Sequence, residues 1–183
     1  QLHKGMMPVA ELRGQINFAD NMLSGNFEAG KANSIVVEQA QLSYGPLLNH
    51  TGAREIEFKT LASGKVTDVL EILDHPKINQ IDKLGLRPLT IEGQSRFTLE
   101  IAGEVPLGGR FKIADISVDG TLSDADINGL PLGQHLEDSV LVISAGKGET
   151  QISGSGRLSG IDSDFNYRRL PDNKTELQLK LAN

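Results

Sequence analysis

The chain has 183 residues, a formal net charge of -6, 20 glycines and no cysteine or tryptophan. These counts exclude a disulfide framework, a thiolate nucleophile and a zinc ribbon, and no apolar run approaches the ~18 residues of a membrane-spanning helix. The acidic balance, with no basic stripe, argues against nucleic acid as a partner.

Only 4% of the residues are aromatic, so any apolar surface must be built mainly from Leu, Ile and Val. The chain begins at Gln1 and is read as a segment of a longer protein. Its dominant pattern is alternation with a period of two, the signature of half-buried strands. Leu12, Gly14, Ile16 and Phe18 alternate with polar residues; Asn21 to Gly25 reads as a turn, and Phe27 opens the next strand. Val36, Glu38, Ala40, Leu42 and Tyr44 share one phase while Ile35 and Val37 take the other, which leaves the face ambiguous. Gly45-Pro46 reads as a turn, and Ile56 and Phe58 resume the alternation.

The pattern breaks once. Val66, Val69, Leu70 and Leu73 are spaced i, i+3, i+4, i+7, which predicts an amphipathic helix over about 65–74, with Ser63 as N-cap and Pro76 ending it. Ile78, Ile81 and Leu84 predict a short helical follower closed by Gly85. The longest alternation then runs from Leu89 to Val105, placing Phe97, Leu99 and Ile101 on one face. Gly108-Gly109 reads as a turn. Phe111 and Ile113 are out of phase with Ile116 and Val118, which predicts a bulge near Asp115. Asp119-Gly120, Asn128-Gly129 and Pro171-Asp172-Asn173 read as further turns. Ile152, Gly154, Gly156 and Leu158 form another strand, as do Leu177, Leu179 and Leu181. Local turns between many strands imply antiparallel meanders.

Candidate chemistry is sparse. Asp124, Asp126, Asn128 and Gly129 open like a calcium loop, but the twelfth position holds His135 where a bidentate Glu is required; a polar hairpin connection is the favoured reading. Asp162, Asp164 and Asn166 share the wet face of a strand. His3, His50, His75 and His135 have no ligand spacing, and His75 suits a helix end. Ser153 to Gly156 alternates within a strand pattern and lacks the nucleophile-elbow spacing. Asn49-His50-Thr51 and Asn173-Lys174-Thr175 fit a glycosylation pattern of low specificity. No enzyme activity, cofactor or metal is expected.

The order of elements carries a resemblance. A Leu12-to-Phe18 strand leads to Leu23-Ser24-Gly25-Asn26-Phe27, then to the helix within Gly64 to Asp74. Leu89 to Ser95 follows, with a strand ending Val105-Pro106-Leu107, then Val118 to Ala125 and Ile152 to Gly156. This resembles the AsmA-like family of bacterial envelope proteins, the YhdP/TamB-type bridge-like lipid transporters, over most of the chain from Leu12 onward. The resemblance implies a periplasmic parent anchored in the inner membrane by an N-terminal helix that this chain lacks. It implies a long curved sheet with an apolar groove that carries phospholipid between inner and outer membranes, and envelope protein partners.

The resulting expectation is a mainly β chain: one curved antiparallel sheet of about ten strands forming an apolar groove, with one helix. First strands are expected over 12–62, a helical insert over 63–85 and a second run of strands over 88–183. The expected groove lining is Ile16, Phe18, Phe97, Leu99, Ile101, Ile113, Val118, Leu122, Ile152, Leu158 and Leu177, with Val66, Val69, Leu70 and Leu73 packing the helix on it. Gly93, Gly103, Gly154 and Gly156 are expected to leave room for bends or for lipid tails. The alternatives are a structural or protein-interaction β-domain of the envelope, and a carbohydrate-active protein with paired carboxylates.

Overall fold

The computed structural model describes residues 10–48, 52–75, 81, 90–130, 133–172 and 174–181. Its strands are β1 (Ala10–Ala19), β2 (Met22–Ala32), β3 (Ile35–Gly45), β4 (Arg54–Lys65), β5 (Thr90–Val105), β6 (Lys112–Asn128), β7 (Leu136–Gly146), β8 (Glu149–Leu158), β9 (Ile161–Arg169) and β10 (Thr175–Leu181). One helix, α1 (Val66–Asp74), follows β4. The protein is mainly β: the ten strands form a single sheet in sequence order, and the registers between consecutive strands are antiparallel. The sheet does not close, because β1 and β10 are its two edges. The chain divides into two compact units, Gln1–Ser63 with Thr98–Ile116, and Gly64–Phe97 with Ser117–Asn183.

In the first unit, β1 and β2 are joined by Asp20 and Asn21 alone, both left-handed at φ 50° and 66°. That is the backbone of a type I′ hairpin, which short polar side chains tolerate. The turn therefore lies earlier than the Asn21-to-Gly25 stretch, and Leu23 to Gly25 belong to β2. Gly25 serves packing: a Cβ there would come 2.9 Å from the Phe27 ring, and one at Gly14 would come 2.7 Å from it. The ring lies over both glycines. The two phases of β3 are reconciled by a register shift between Val37 and Gln39 against β4. The extra residue returns the odd-numbered Ile35 and Val37 to the face that Ala40, Leu42 and Tyr44 occupy.

The second unit has a line of irregularities across four neighbouring strands. Gly93 of β5 sits at φ 119°, Asp124 of β6 and Asp138 of β7 are left-handed at 49° and 48°, and Gly154 of β8 is at 154°. Register shifts flank Asp124 and Asp138. A Cβ on Gly93 would meet the Asp124 carbonyl oxygen at 2.7 Å, and one on Gly154 would collide with that of Val140. A Cβ on Gly156 would collide with Ser139, and one on Gly103 with the Lys112 carbonyl. The room at Gly93, Gly103, Gly154 and Gly156 is thus filled by the adjacent strand and is not free for a lipid tail. Aligned bulges bend neighbouring strands together. Lys147-Gly148 and Ser159-Gly160 supply two more left-handed hairpin turns.

Several expected turns and caps fall elsewhere. Asp119-Gly120 lies inside β6, where a Cβ added at Gly120 would come 2.7 Å from the Arg96 carbonyl oxygen. Ser63 lies in β4, and the helix is preceded by Lys65 with no side-chain cap. Ser95 Oγ instead donates to the Gly64 carbonyl at 2.9 Å, fixing the approach to the helix. His75 caps the other end, its N–H donating to the Ile72 carbonyl at 3.2 Å. Near Asp115, the carboxylate accepts the Ile116 N–H at 3.0 Å. Burial changes phase there, from Ile113 to Ile116 and Val118. His3, His50, Asn49, Thr51, Pro76, Ile78, Leu84, Gly85, Leu89, Pro131 and Asn173 lie outside the described residues.

Candidate functional site

The registers of β1 to β4 line up three cross-strand rows on one face. Phe18, Leu23, Tyr44 and Ile56 form the first; Ile16, Gly25, Leu42 and Phe58 the second; Gly14, Phe27, Ala40 and Thr60 the third. Directly paired positions share a face, and every second residue returns to it. The opposite face reads Asn17, Ser24, Ser43 and Glu57, then Gln15, Asn26, Gln41 and Lys59. Apart from Thr60, these rows set apolar residues and glycines on one face and polar residues on the other.

This apolar face is open to solvent. Ile16 and Phe18 are 62% and 63% exposed, and Leu23, Phe27, Leu42, Tyr44, Ile56 and Phe58 are half-buried. Leu99, Ile101 and Ile113 of the same unit are half-buried too, and Phe111 is exposed. Scattered apolar side chains on a surface need no explanation, but a contiguous patch rimmed by polar residues marks an interaction surface.

The second unit treats the same alternation differently. Leu122 pairs with Leu141, Ile143 with Ile152, and Ile152 with Tyr167. Ile152, Leu141, Leu122, Tyr167 and Phe165 are all buried, as are Val66 and Leu73 of α1. Apolar side chains on this face are therefore largely withdrawn from solvent. The expected lining residues therefore fall into two groups. Ile16, Phe18, Leu99, Ile101 and Ile113 belong to the open face. Phe97, Val118, Leu122, Ile152 and Leu158 sit in the closed core, and Leu177 is half-buried on the edge strand β10. Val69 and Leu70 of α1 are half-buried.

Leu23, Phe27, Leu42, Tyr44, Ile56, Phe58 and Phe111 of the first unit lie beyond that expected lining. All but Leu23 alternate visibly in the sequence, so the signal was present. At the hairpin end of the face sits Arg54, two residues before Ile56 and hence on the same side. Its Nη1 donates to Tyr44 Oη at 3.4 Å and its Nη2 to the Leu47 carbonyl at 3.3 Å. Its Nε is buried with no hydrogen-bond partner.

The acidic string of β6 runs along a strand. Asp126 Oδ1 accepts the Asp138 N–H at 3.1 Å, which ties two bulges together. His135 pairs with Glu137 at 3.1 Å. Among the described residues no group of three or more His, Asp or Glu is placed to hold a metal ion. A hollow on the second unit is lined by the charged residues Asp138, Arg157, Asp162, Asp164 and Lys180 together with Val140 and Leu181, with no aromatic side chain. Arg157 is ion-paired with Asp138 there. At the β9–β10 turn, the side chain of Lys174 holds the Asp172 carboxyl below the usual carboxylate range. No family model, curated protein or solved structure matches the chain.

Proposed function

We propose that the chain binds phospholipid acyl tails along the open apolar face of its first unit, as part of a non-enzymatic conduit between bacterial membranes. The observation that carries this reading is the contrast between units. In the second unit the alternating face is closed into a core over most of β6 to β9, with Ile161, Leu179 and Leu181 exposed at its margin, while the face of β1 to β4 keeps large apolar side chains partly in water across three neighbouring strand pairs, backed by polar residues. Such exposure is a standing cost that an apolar ligand relieves. Each acyl CH₂ moved out of water contributes ~0.8 kcal/mol, so a tail of about 16 carbons must find on the order of 12 kcal/mol of burial to leave a bilayer. An aliphatic strip supplies burial without directional contacts, which suits sliding better than a trap.

The resemblance to AsmA-like envelope proteins agrees with this reading and supplies its setting: a periplasmic segment of a parent anchored in the inner membrane, with envelope proteins as further partners. The test is native mass spectrometry of delipidated protein after incubation with phospholipid. Wild type is expected to gain lipid adducts. The double variant Ile16→Glu, Phe18→Glu is expected to lose most of them, while its stability stays within about 1 kcal/mol of wild type because both sites are exposed. A wild-type protein that gains no adduct contradicts the proposal. The structural-module alternative would then stand, with a protein partner adding along a sheet edge.

A further inference from the structure

We propose that Arg54 and Tyr44 form the headgroup site of this face, taking one anionic group, phosphate or carboxylate, on an amphiphile whose tail lies along the adjoining apolar rows. The inference rests on the lipid-binding reading above and adds the chemistry and orientation of the ligand.

A guanidinium on an apolar face requires a reason. Arg54 is half-buried among Tyr44, Leu47 and Ile56, and a desolvated charge without a counter-charge is costly. Among the ion pairs of the described residues, none involves Arg54. The neighbouring carboxylates, Glu55 and Glu57, alternate onto the opposite face. The guanidinium has five N–H donors, and its contacts with Tyr44 and Leu47 at 3.4 and 3.3 Å are long. Tyr44 Oη accepts from Arg54 and keeps its own proton for donation. A planar cation with spare donors beside a free hydroxyl suits a phosphate or carboxylate oxygen pair.

The site is held from behind. The Leu47 N–H donates to the Asn21 carbonyl at 2.8 Å, and the Leu48 N–H to Asn21 Oδ1 at 2.5 Å. These bonds pin the segment whose carbonyl receives Arg54 Nη2, so the guanidinium is oriented before any ligand arrives. Tyr44 and Ile56 begin the apolar rows, and Leu42 and Phe58 continue them. A head on Arg54 therefore directs its tail along β3 and β4, away from the hairpin that joins them.

The test is displacement of a fluorescent diacylglycerol probe from the full chain by phosphatidylglycerol, by diacylglycerol of the same acyl chains and by inorganic phosphate. Phosphatidylglycerol is expected to compete about tenfold better than diacylglycerol, the worth of one charge-assisted contact. Arg54→Leu should erase that preference, bringing phosphatidylglycerol and diacylglycerol to equal competition, and Arg54→Lys should restore part of it. Tyr44→Phe, which removes a single hydroxyl, should reduce the preference should Arg54→Leu prove unfolded by circular dichroism. Phosphate alone should displace nothing. Equal competition by both lipids in wild type overturns the headgroup site and leaves the apolar-face reading standing. No binding of either lipid overturns both. Displacement by phosphate alone assigns Arg54 to a free anion and overturns the amphiphile.

Discussion

Gly154→Val is expected to destabilise the protein by roughly 2–6 kcal/mol, combining backbone strain with overpacking. Gly154 occupies φ 154°, a conformation that a β-branched residue rarely adopts. It also lies against the backbone of β7: an added Cβ would collide with the Val140 carbonyl oxygen and stand 2.9 Å from the Leu141 Cα. Neither obstacle is a flexible side chain, so relief requires the strand itself to move. Leu141 pairs with Gly154 and is buried at the centre of the second unit, so such a shift disturbs the core directly. Urea denaturation reads the loss as a lower midpoint. A midpoint equal to wild type would mean that the line of bulges from Gly93 to Gly154 is not a fixed feature of the sheet.

Ile152→Ala is the second large effect, expected at about 3–4 kcal/mol, within the span for deleting a buried aliphatic side chain. Ile152 is 0% exposed and pairs with Ile143 on one side and Tyr167 on the other, so the cavity has little freedom to collapse. The same denaturation experiment checks it. Measured on folded protein, lipid binding should not change, because Ile152 belongs to the closed core of the second unit. A loss of binding at full stability would instead place the ligand against that core.

Alternation made most of the fold legible. The long strand ending at Val105, the helix after β4 and the antiparallel class all follow from spacing that backbone geometry reads directly. The strand β7 was hidden because Val140, Leu141, Val142 and Ile143 run apolar on both phases, with Val140 and Val142 exposed on the outer side. The left-handed turn falls at Asp20-Asn21 and not at the nearby Gly25, whose missing side chain makes room for the Phe27 ring. Such glycines have the same letter whether they turn the chain or admit a neighbour, and only packing separates the two uses.

The candidate site was legible in a narrower sense. Period two states which residues share a face but carries no information on what covers that face. Phe97 and Leu99 are consecutive members of one alternating series, yet Phe97 is closed into a core and Leu99 is partly open. Arg54 is the opposite case. In sequence it is one more cation before an alternating run, and its significance comes from a register that sets it beside Tyr44.

The most direct measurement of the central claim is photocrosslinking with a phospholipid carrying a reactive group in its acyl tail, followed by peptide mapping of the adducts. Adducts are expected on β1 to β4 and around Leu99, Ile101 and Ile113, with few at Leu122, Leu141 or Ile152. Adducts concentrated on those core residues, or spread evenly over polar and apolar faces alike, would contradict the account.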